Sequence, residues 1–260
     1  MIDTHLHLDF PDFRKDFDEV LENAFNKGLE AMVCVGIDED SSRRMVKMAN
    51  GNSCIWATVG VHPHDAARTS ENYIQKLKKM SEDPRVIAIG ETGLDYYRDR
   101  SPRDVQQRVF REQIALAREV NKPLVIHCRD AYRDLMDILI HEEAEKIGGI
   151  LHCYSGDTDF ALKSLEKGFY ISFSGTVTYP NAVSLRDVVA LVPPERILVE
   201  TDAPFLAPVP YRGKRNEPAF IEATYKKVAE IKKMTVSELN SHCRANLQRL
   251  TGISLPVNNS

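Results

Sequence analysis

Six side chains of the kinds that bind metal ions recur along the chain, each at the end of a short apolar run. They are His5 and His7 in MIDTHLHL, Glu91 in VIAIGETG, His127 in PLVIHCRD, His152 in GGILHCYS and Asp202 in RILVETDAP. One histidine after an apolar run is usually an ordinary, partly buried side chain. Six such positions at the ends of five predicted strands are hard to attribute to chance. Only a fold that gathers its strand ends could join them in one site.

The spacing of His5 and His7 is informative because successive side chains of a strand point to opposite faces. Two histidines separated by one residue therefore face the same way and can reach one cation. Four histidines and two carboxylates are too many ligands for one ion but suit two, and a carboxylate can bridge cations roughly 3.5–4 Å apart. We therefore expect two divalent metal ions. By ligand softness the imidazole-rich set favours Zn, Mn or Ni over Mg.

Eight predicted strands carry or separate these residues, and nearly all are followed by a helical pattern. The strands are short and rich in Val and Ile, which is typical of parallel strands buried on both faces. The predicted strands are 2–6, 31–36, 55–61, 86–90, 124–127, 149–152, 169–173 and 197–200, and the predicted helices are 16–27, 102–121, 131–146, 159–167, 181–192, 218–233 and 235–250. Ser101 is expected to cap the second helix, Thr235 and Glu238 to form a capping box, and the final LPVNNS to be frayed.

A βα unit repeated eight times predicts an α/β fold, a (β/α)8 TIM barrel. We expect a single domain over residues 1–260, with the metal site at the C-terminal ends of its strands. An open, doubly wound sheet is the competing architecture, but no G-x-G-x-x-G motif follows the first strand. The barrel also places all eight strand ends in one ring, as the six ligand candidates require.

The composition limits the classes of function. The net charge of -4 shows no global affinity for polyanions, so contact with nucleic acid requires a local basic patch. No apolar run approaches the roughly 18 residues of a membrane span, and the N-terminus shows no secretion signal. The five cysteines are scattered, as expected of reduced thiols in a cytoplasmic protein. We expect no membrane association and no obligate protein partner.

Two cysteines and one basic segment need separate interpretation. Cys128 and Cys153 each follow a candidate ligand histidine, and strand alternation predicts that they face the helix layer as core thiols. The segment YRGKRNE at 211–217 is the only compact basic loop and follows the eighth strand, where such barrels often bind phosphate. Its Arg212, Lys214 and Arg215 are therefore predicted to bind substrate, with a solvated charged turn as the alternative.

Other substrate-binding candidates lie after the third, fourth and fifth strands. Arg129 follows the candidate ligand His127 closely and could contact a phosphate oxygen. His62 could line the same mouth, or could be a histidine that is hydrogen-bonded within its loop. Tyr96 and Tyr97 could stack on a base or pack the rim of the barrel.

Seven segments together resemble the TatD family of metal-dependent hydrolases, which is similar to the wider amidohydrolase superfamily. The resemblance rests on His5 and His7, GVHPHD at 60–65, GETGLDYY at 90–97, IHCRDA at 126–131, LHCYSG at 151–156, ETDAPFLAP at 200–208 and RGKRNEP at 212–218. It implies that His5, His7 and Asp202 hold one metal, that His127 and His152 hold the other, and that Glu91 bridges them. It also implies a magnesium-dependent deoxyribonuclease, although some relatives deacylate mischarged tRNA, and the preference for Mg differs from the softness argument.

Two functions remain open. The leading hypothesis is a metal-dependent deoxyribonuclease that acts on DNA ends, in which a metal-activated water attacks phosphorus. Asp202 would accept the proton of that water and Glu91 would act as the bridge between the ions. The alternative is an amidohydrolase-type enzyme that cleaves a C–N or ester bond, such as an aminoacyl-tRNA deacylase. The ligands suit both reactions, and only the basic loop at 212–215 favours phosphate.

Overall fold

Eight short strands form one sheet whose strand order follows the chain. The computed structural model describes residues 1–255, so of the segment LPVNNS only Leu255 is included and its expected fraying lies outside the described residues. The strands are β1 (Ile2–Leu6), β2 (Ala31–Val35), β3 (Ile55–Val59), β4 (Val86–Asp95), β5 (Leu124–Arg129), β6 (Gly149–Leu151), β7 (Tyr170–Phe173) and β8 (Ile197–Val199). All seven neighbouring pairs are parallel. Parallel order throughout requires a crossover after every strand.

A helix supplies each crossover. The helices are α1 (Phe17–Asn26), α2 (Glu39–Gly51), α3 (Tyr73–Ser81), α4 (Arg103–Glu119), α5 (Tyr132–His141), α6 (Thr158–Glu166), α7 (Val183–Leu191), α8 (Ile221–Lys232) and α9 (Val236–Thr251). Each helix buries an apolar stripe, as α1 does with Val20 and Ala24. The alternation of strand and helix confirms the predicted (β/α)8 barrel and single domain.

Hydrogen bonds between β1 and the segment at the end of β8 bring the sheet round to a nearly closed barrel. The Thr4 hydroxyl donates to the Val199 carbonyl at 3.1 Å. The Asp202 amide donates to the His5 carbonyl at 2.9 Å, and the His7 amide donates to the Ala203 carbonyl at 2.8 Å. The first and last candidate ligands along the chain therefore become neighbours in space.

Several predicted elements differ from the structure at their ends. The predicted cap at Ser101 is wrong, because Pro102 holds the N-cap position and the Ser101 hydroxyl donates instead to the His64 carbonyl at 2.9 Å. The predicted helix 131–146 stops at His141, and Glu143 adopts a positive φ of 51° before a short 3-10 turn. The helices α2 and α3 were not predicted. The capping box of Thr235 and Glu238 is confirmed.

The close contact of β4 and β5 explains one glycine of the segment GETG. Gly93 pairs with His127 across the two strands, and its φ of 135° disfavours any other residue. A Cβ atom at this position would lie only 2.0 Å from the His127 carbonyl oxygen. The glycine thus lets β4 pass directly beside the end of β5, where two candidate ligands meet.

Candidate metal centre

The two histidines at the end of β1 point into the barrel mouth, as their spacing predicts. Both are buried, and their Nε2 atoms lie 3.2 Å apart. His7 donates from Nδ1 to the Val35 carbonyl at 3.2 Å, which leaves the lone pair of Nε2 facing the centre. Such a hydrogen bond fixes the tautomer and orientation of a metal-binding imidazole.

Two carboxylate oxygens complete a group of four donor atoms with these two nitrogens. Asp202 Oδ1 lies 3.4 Å from His7 Nε2 and 3.7 Å from His5 Nε2. Glu91 Oε2 lies 3.3 Å from His5 Nε2 and 3.7 Å from His7 Nε2. Ligand atoms around a tetrahedral ion with bonds of about 2.0–2.1 Å are separated by about 3.3 Å. The donor set therefore fits one cation in both chemistry and spacing.

A second group surrounds the other oxygen of Glu91. Its Oε1 atom lies 2.7 Å from His152 Nε2, 3.0 Å from His127 Nδ1 and 3.3 Å from His62 Nε2. The nitrogens of His127 and His152 are 3.3 Å apart. The separations of 3.3 Å match ligands of one cation, whereas the 2.7 and 3.0 Å contacts of Glu91 are hydrogen-bond distances that a bound cation would lengthen. The two oxygens of Glu91 thus face two separate donor groups, which is the arrangement that a bridging carboxylate needs.

His62 lies deeper in the site than the sequence indicated. Its Nδ1 atom accepts a hydrogen bond from the His64 amide at 3.1 Å, which turns Nε2 towards Glu91. His62, Glu91 and His127 form one of the clusters whose ligand atoms could hold an ion. The predicted contact with substrate remains a prediction, and the position of His62 also makes it a candidate ligand.

The protonation of these groups bears on cation binding. Burial would raise the pKa of Glu91, but the surrounding imidazoles, His152 foremost, hold it well below its usual range. Burial likewise opposes ionisation of Asp202, yet the hydrogen bond with His7 lowers its pKa. Burial lowers the pKa of His62 to about 4. Although burial opposes the charge on His152, the Glu91 carboxylate raises its pKa, so a cation must displace a proton there.

Two carboxylates that were not predicted hold the ligand histidines in place. Asp95 Oδ2 lies 3.0 Å from both His127 Nε2 and His64 Nε2. Glu200 Oε1 accepts from the Cys153 amide at 2.7 Å and lies 3.4 Å from His152 Nδ1. Carboxylates behind ligand histidines orient the rings and raise their basicity. Asp95 was within reach of sequence reasoning, because it lies four residues after Glu91 and so on the same face of β4.

The segment that carries Asp202 is fixed by buried polar side chains. Asp3 accepts from the Thr201 amide at 3.0 Å and from the Thr201 hydroxyl at 2.6 Å. Asn216 donates from Nδ2 to the Thr201 carbonyl at 2.8 Å and to the Phe205 carbonyl at 2.6 Å. Asp202 itself has a φ of 57°, a strained conformation that its surroundings must maintain. The RGKRNEP segment therefore contributes to the site through its asparagine.

A cavity of about 370 Å³ opens above the candidate ligands. Its walls differ in chemistry, with arginines after β4 and at the end of β5 and apolar side chains after β1 and β8. The arginines are Arg98, Arg100 and Arg129, and the apolar residues are Phe10, Phe205 and Leu206. The structure thus places Arg129, a predicted substrate contact, on the wall of the cavity.

The two cysteines that follow ligand histidines differ from expectation. Cys128 and Cys153 were predicted to face the helix layer, but both are only partly buried and border the cavity. β6 ends at Leu151 and Cys153 adopts a φ of 43°, so strand alternation no longer sets its direction. Within residues 1–255 neither thiol belongs to a cluster of ligand atoms.

None of the residues of the basic loop at 212–215 lines the cavity. Arg215 forms two hydrogen bonds with Asp16, at 2.9 and 2.7 Å, and an ion pair with Glu217 at 2.8 Å. The guanidinium of Arg212 lies over the ring of Tyr179, 4.5 Å from its centroid. Substrate binding by Arg212, Lys214 and Arg215 stays a prediction. Arg215 also has a clear structural task.

Known proteins share both the sequence and the fold. The family model described as "TatD related DNase" matches residues 2–252. The chain is 44% identical over 254 residues to an uncharacterized metal-dependent hydrolase of Bacillus subtilis strain 168, YabD, with 98% of this chain and 100% of the relative covered. It is 35% identical over 260 residues to a 3'-5' ssDNA/RNA exonuclease TatD of Enterobacter lignolyticus strain SCF1, with 98% and 100% covered. The crystal structure of the TatD homologue YjjV from Escherichia coli K12 superposes with a TM-score of 0.92 at 28% identity, with 98% of each chain covered.

The barrel and its cluster of histidines and carboxylates define the class of a metal-dependent hydrolase. Within that class, the chain belongs to the TatD family. None of the helices in residues 1–255 combines the length and the apolar character that crossing a membrane requires.

Proposed function

We propose that this TatD-family hydrolase is an exonuclease that removes nucleotides from the ends of single-stranded DNA with the help of two divalent metal ions. The observation that carries the proposal is the position of Glu91. Its two oxygens face two donor groups, one with His5, His7 and Asp202 and the other with His127 and His152. A pair of cations held in this way suits the in-line displacement of a phosphodiester oxygen.

The protein groups have distinct tasks in this reaction. Bound divalent ions would supply positive charge for the phosphate and lower the pKa of a water molecule. Asp202, which presents Oδ1 to the two histidines of β1, accepts the proton of the attacking water on its carboxylate. Asp95 and Glu200 keep the rings of His127 and His152 in fixed orientations during the reaction.

The shape of the cavity favours the end of an unpaired strand. A volume of about 370 Å³ lies at the small end of the range of ligand pockets, roughly 300–1,000 Å³. The candidate ligands on its floor are mostly buried. A cavity of this size suits one nucleotide, which an unpaired strand end can place at the floor. The exonuclease activity named for the Enterobacter relative agrees with this interpretation.

The alternative is cleavage of an ester or C–N bond, as in deacylation of an aminoacyl-tRNA. The same activated water could attack carbon, so the candidate ligands suit both reactions. Three arginines on one wall of the cavity suit a strand whose further phosphates lie on one side of the scissile bond, as at the end of a nucleic-acid strand. An aminoacyl ester would present its carbonyl group to the floor instead.

The decisive experiment compares substrates under controlled metal content. Chelated protein is supplied separately with Mg, Mn, Zn or Ni and given DNA labelled at the 5' or 3' end, single- or double-stranded, and an aminoacyl-tRNA. Stepwise release of mononucleotides from single strands supports the proposal. Deacylation of tRNA with no release of nucleotides under any metal overturns it. Glu119→Gln, which alters an exposed ion pair with Lys78, is a matched control for Glu91→Gln in the same assay.

A further inference from the structure

We infer that Tyr97, Arg98, Arg100 and Arg129 form a docking surface, the β4–β5 rim, for the phosphodiester strand that adjoins the scissile bond. This inference rests on the proposed nuclease function and adds to it the path by which the strand leaves the cavity. The occupant is single-stranded nucleic acid, recognised through its backbone phosphates and one base.

The rim continues directly from the strands that carry the candidate ligands. β4 contains Glu91 and Asp95 and ends at Asp95, so Tyr97 to Arg100 follow within five residues. Arg129 is the last residue of β5, and its backbone lies opposite that of Asp95 in the register of the two strands. The Arg98 amide donates to Asp95 Oδ1 at 2.7 Å, which anchors the start of the loop to the same carboxylate that holds His127. The rim therefore has a fixed position relative to the floor.

The charges of the rim remain available for a ligand. Across residues 1–255, no carboxylate oxygen lies within 4.0 Å of a guanidinium nitrogen of Arg98, Arg100 or Arg129, whereas the nearby Arg103 pairs with Asp99 at 3.3 Å. The three unpaired arginines are exposed and border the cavity. Arginine binds phosphate through a planar fork of donors, which makes an unpaired cluster beside a phosphodiesterase site a suitable phosphate contact.

An exposed aromatic ring lies among these charges. Tyr97 is 59% exposed, and the guanidinium groups of Arg129 and Arg98 lie 4.8 and 5.7 Å from its ring centroid. Its neighbour Tyr96 is instead tied to the fold, because its hydroxyl donates to Asp134 at 2.8 Å. Bases stack on aromatic rings and guanidinium planes without much regard to sequence. Tyr97 and its arginines thus supply a platform for a base between two phosphate contacts.

The opposite wall indicates the direction of the strand. Phe10 and Phe205 meet edge to face with ring centroids 5.3 Å apart, and Phe205 is 45% exposed. These rings and Leu206 offer no donor to a phosphate. A polyanionic strand therefore leaves the cavity over the β4–β5 rim, and the apolar wall remains for the base of the terminal nucleotide.

The test measures how strongly the enzyme prefers long strands. We compare kcat/KM for a ten-nucleotide and a two-nucleotide single strand, using the wild type, the double variant Arg98→Gln/Arg100→Gln, Tyr97→Leu and Tyr97→Phe. We expect the preference for the longer strand to fall about tenfold in the double variant. The slope of the logarithm of the DNA-binding constant against the logarithm of salt concentration should decrease by roughly 0.7 for each phosphate that is no longer bound. Tyr97→Leu should lower the same preference roughly tenfold because the base can no longer stack, and Tyr97→Phe should retain it.

The control is Arg103→Gln, which removes one charge from the same region but from an arginine already paired with Asp99. If the double variant keeps the wild-type preference and salt slope, the β4–β5 rim does not bind the strand, and the nuclease proposal is unaffected. Binding of a phosphorothioate-linked ten-nucleotide strand separates the two proposals. If the wild type binds this strand more tightly than the rim variants but cleaves no oligonucleotide, the nuclease proposal is wrong. If all variants bind it equally, the proposal that the β4–β5 rim binds the strand is wrong.

Discussion

The floor of the cavity and the basic loop after β8 are both dense in charged and polar side chains, yet these face different ways. On the floor, Glu91 and Asp202 point towards a shared centre, where imidazoles are their main partners. In the loop, Arg215 binds Asp16, and Asn216 binds the backbone on either side of Asp202. A run of basic residues therefore does not by itself define a ligand-binding surface. The partners of each charge decide whether it serves the substrate or the fold.

The largest expected effect is the loss of activity in Glu91→Gln, which changes a candidate ligand on the floor of the cavity. The amide keeps the size of the side chain but cannot present two anionic oxygens to two cations. Because a catalytic cation supplies several kcal/mol of charge stabilisation, we expect kcat to fall by about 10³-fold. Metal content, measured after dialysis, should fall as well. Wild-type metal occupancy in this variant would contradict a bridging role for Glu91.

Asp202→Asn should lower turnover less than Glu91→Gln, and its effect on turnover can be separated from its effect on metal binding. Asparagine can still offer an oxygen to a cation but cannot accept a proton from water. At metal occupancy matched to the wild type, we expect turnover to fall by roughly 10²-fold or more, as for loss of a general base. Recovery of turnover together with occupancy in excess metal would leave Asp202 as a ligand alone.

The contrast between the two regions also explains what could be predicted from sequence. Strand ends of a parallel barrel meet in one ring, so a histidine at the end of β1 and another at the end of β6 could be placed together without knowing any loop. His5 and His152 indeed stack with ring centroids 3.8 Å apart. The direction of a loop side chain depends on local partners that sequence spacing does not encode. For this reason the inward turn of His62 and the unpaired state of Arg98 were not foreseen.

Asn216→Ala tests whether the basic loop after β8 supports the candidate metal ligands on the floor of the cavity. Asn216 is fully buried, and its two donated hydrogen bonds hold the carbonyls of Thr201 and Phe205. Leaving those carbonyls unpaired should cost about 1–3 kcal/mol of stability. We expect kcat to fall more than tenfold as well, because the segment around Asp202 loses its support.

Asn246→Ala provides a matched control for Asn216→Ala. Asn246 is equally buried and donates to two carbonyls, of Pro194 and Ile197, both at 2.8 Å. Pro194 lies just before β8 and Ile197 begins it, at the end opposite to the candidate ligands. Chemical denaturation should show similar losses for both variants, but only Asn216→Ala should lower kcat at a temperature where both are folded. Equal kcat in the two variants would reduce Asn216 to a purely structural residue.

The smallest expected effects follow substitution of the charged residues in the basic loop. These variants test whether the loop also binds substrate. Arg215→Met removes the ion pairs with Asp16 and Glu217 but keeps much of the aliphatic stem, so we expect Tm to fall by roughly 2–4 °C. Arg212→Gln/Lys214→Gln leaves those pairs intact and should lower Tm less, because it removes only the contact of Arg212 with the Tyr179 ring. If the loop binds phosphate as its composition predicts, the slope of the logarithm of the DNA-binding constant against the logarithm of salt concentration should decrease in this double variant. The decrease should be roughly 0.7 for each phosphate that the loop no longer neutralises. An unchanged slope would mean that the two side chains form a solvated turn, and that the arginines around the cavity carry the electrostatic contact with the strand.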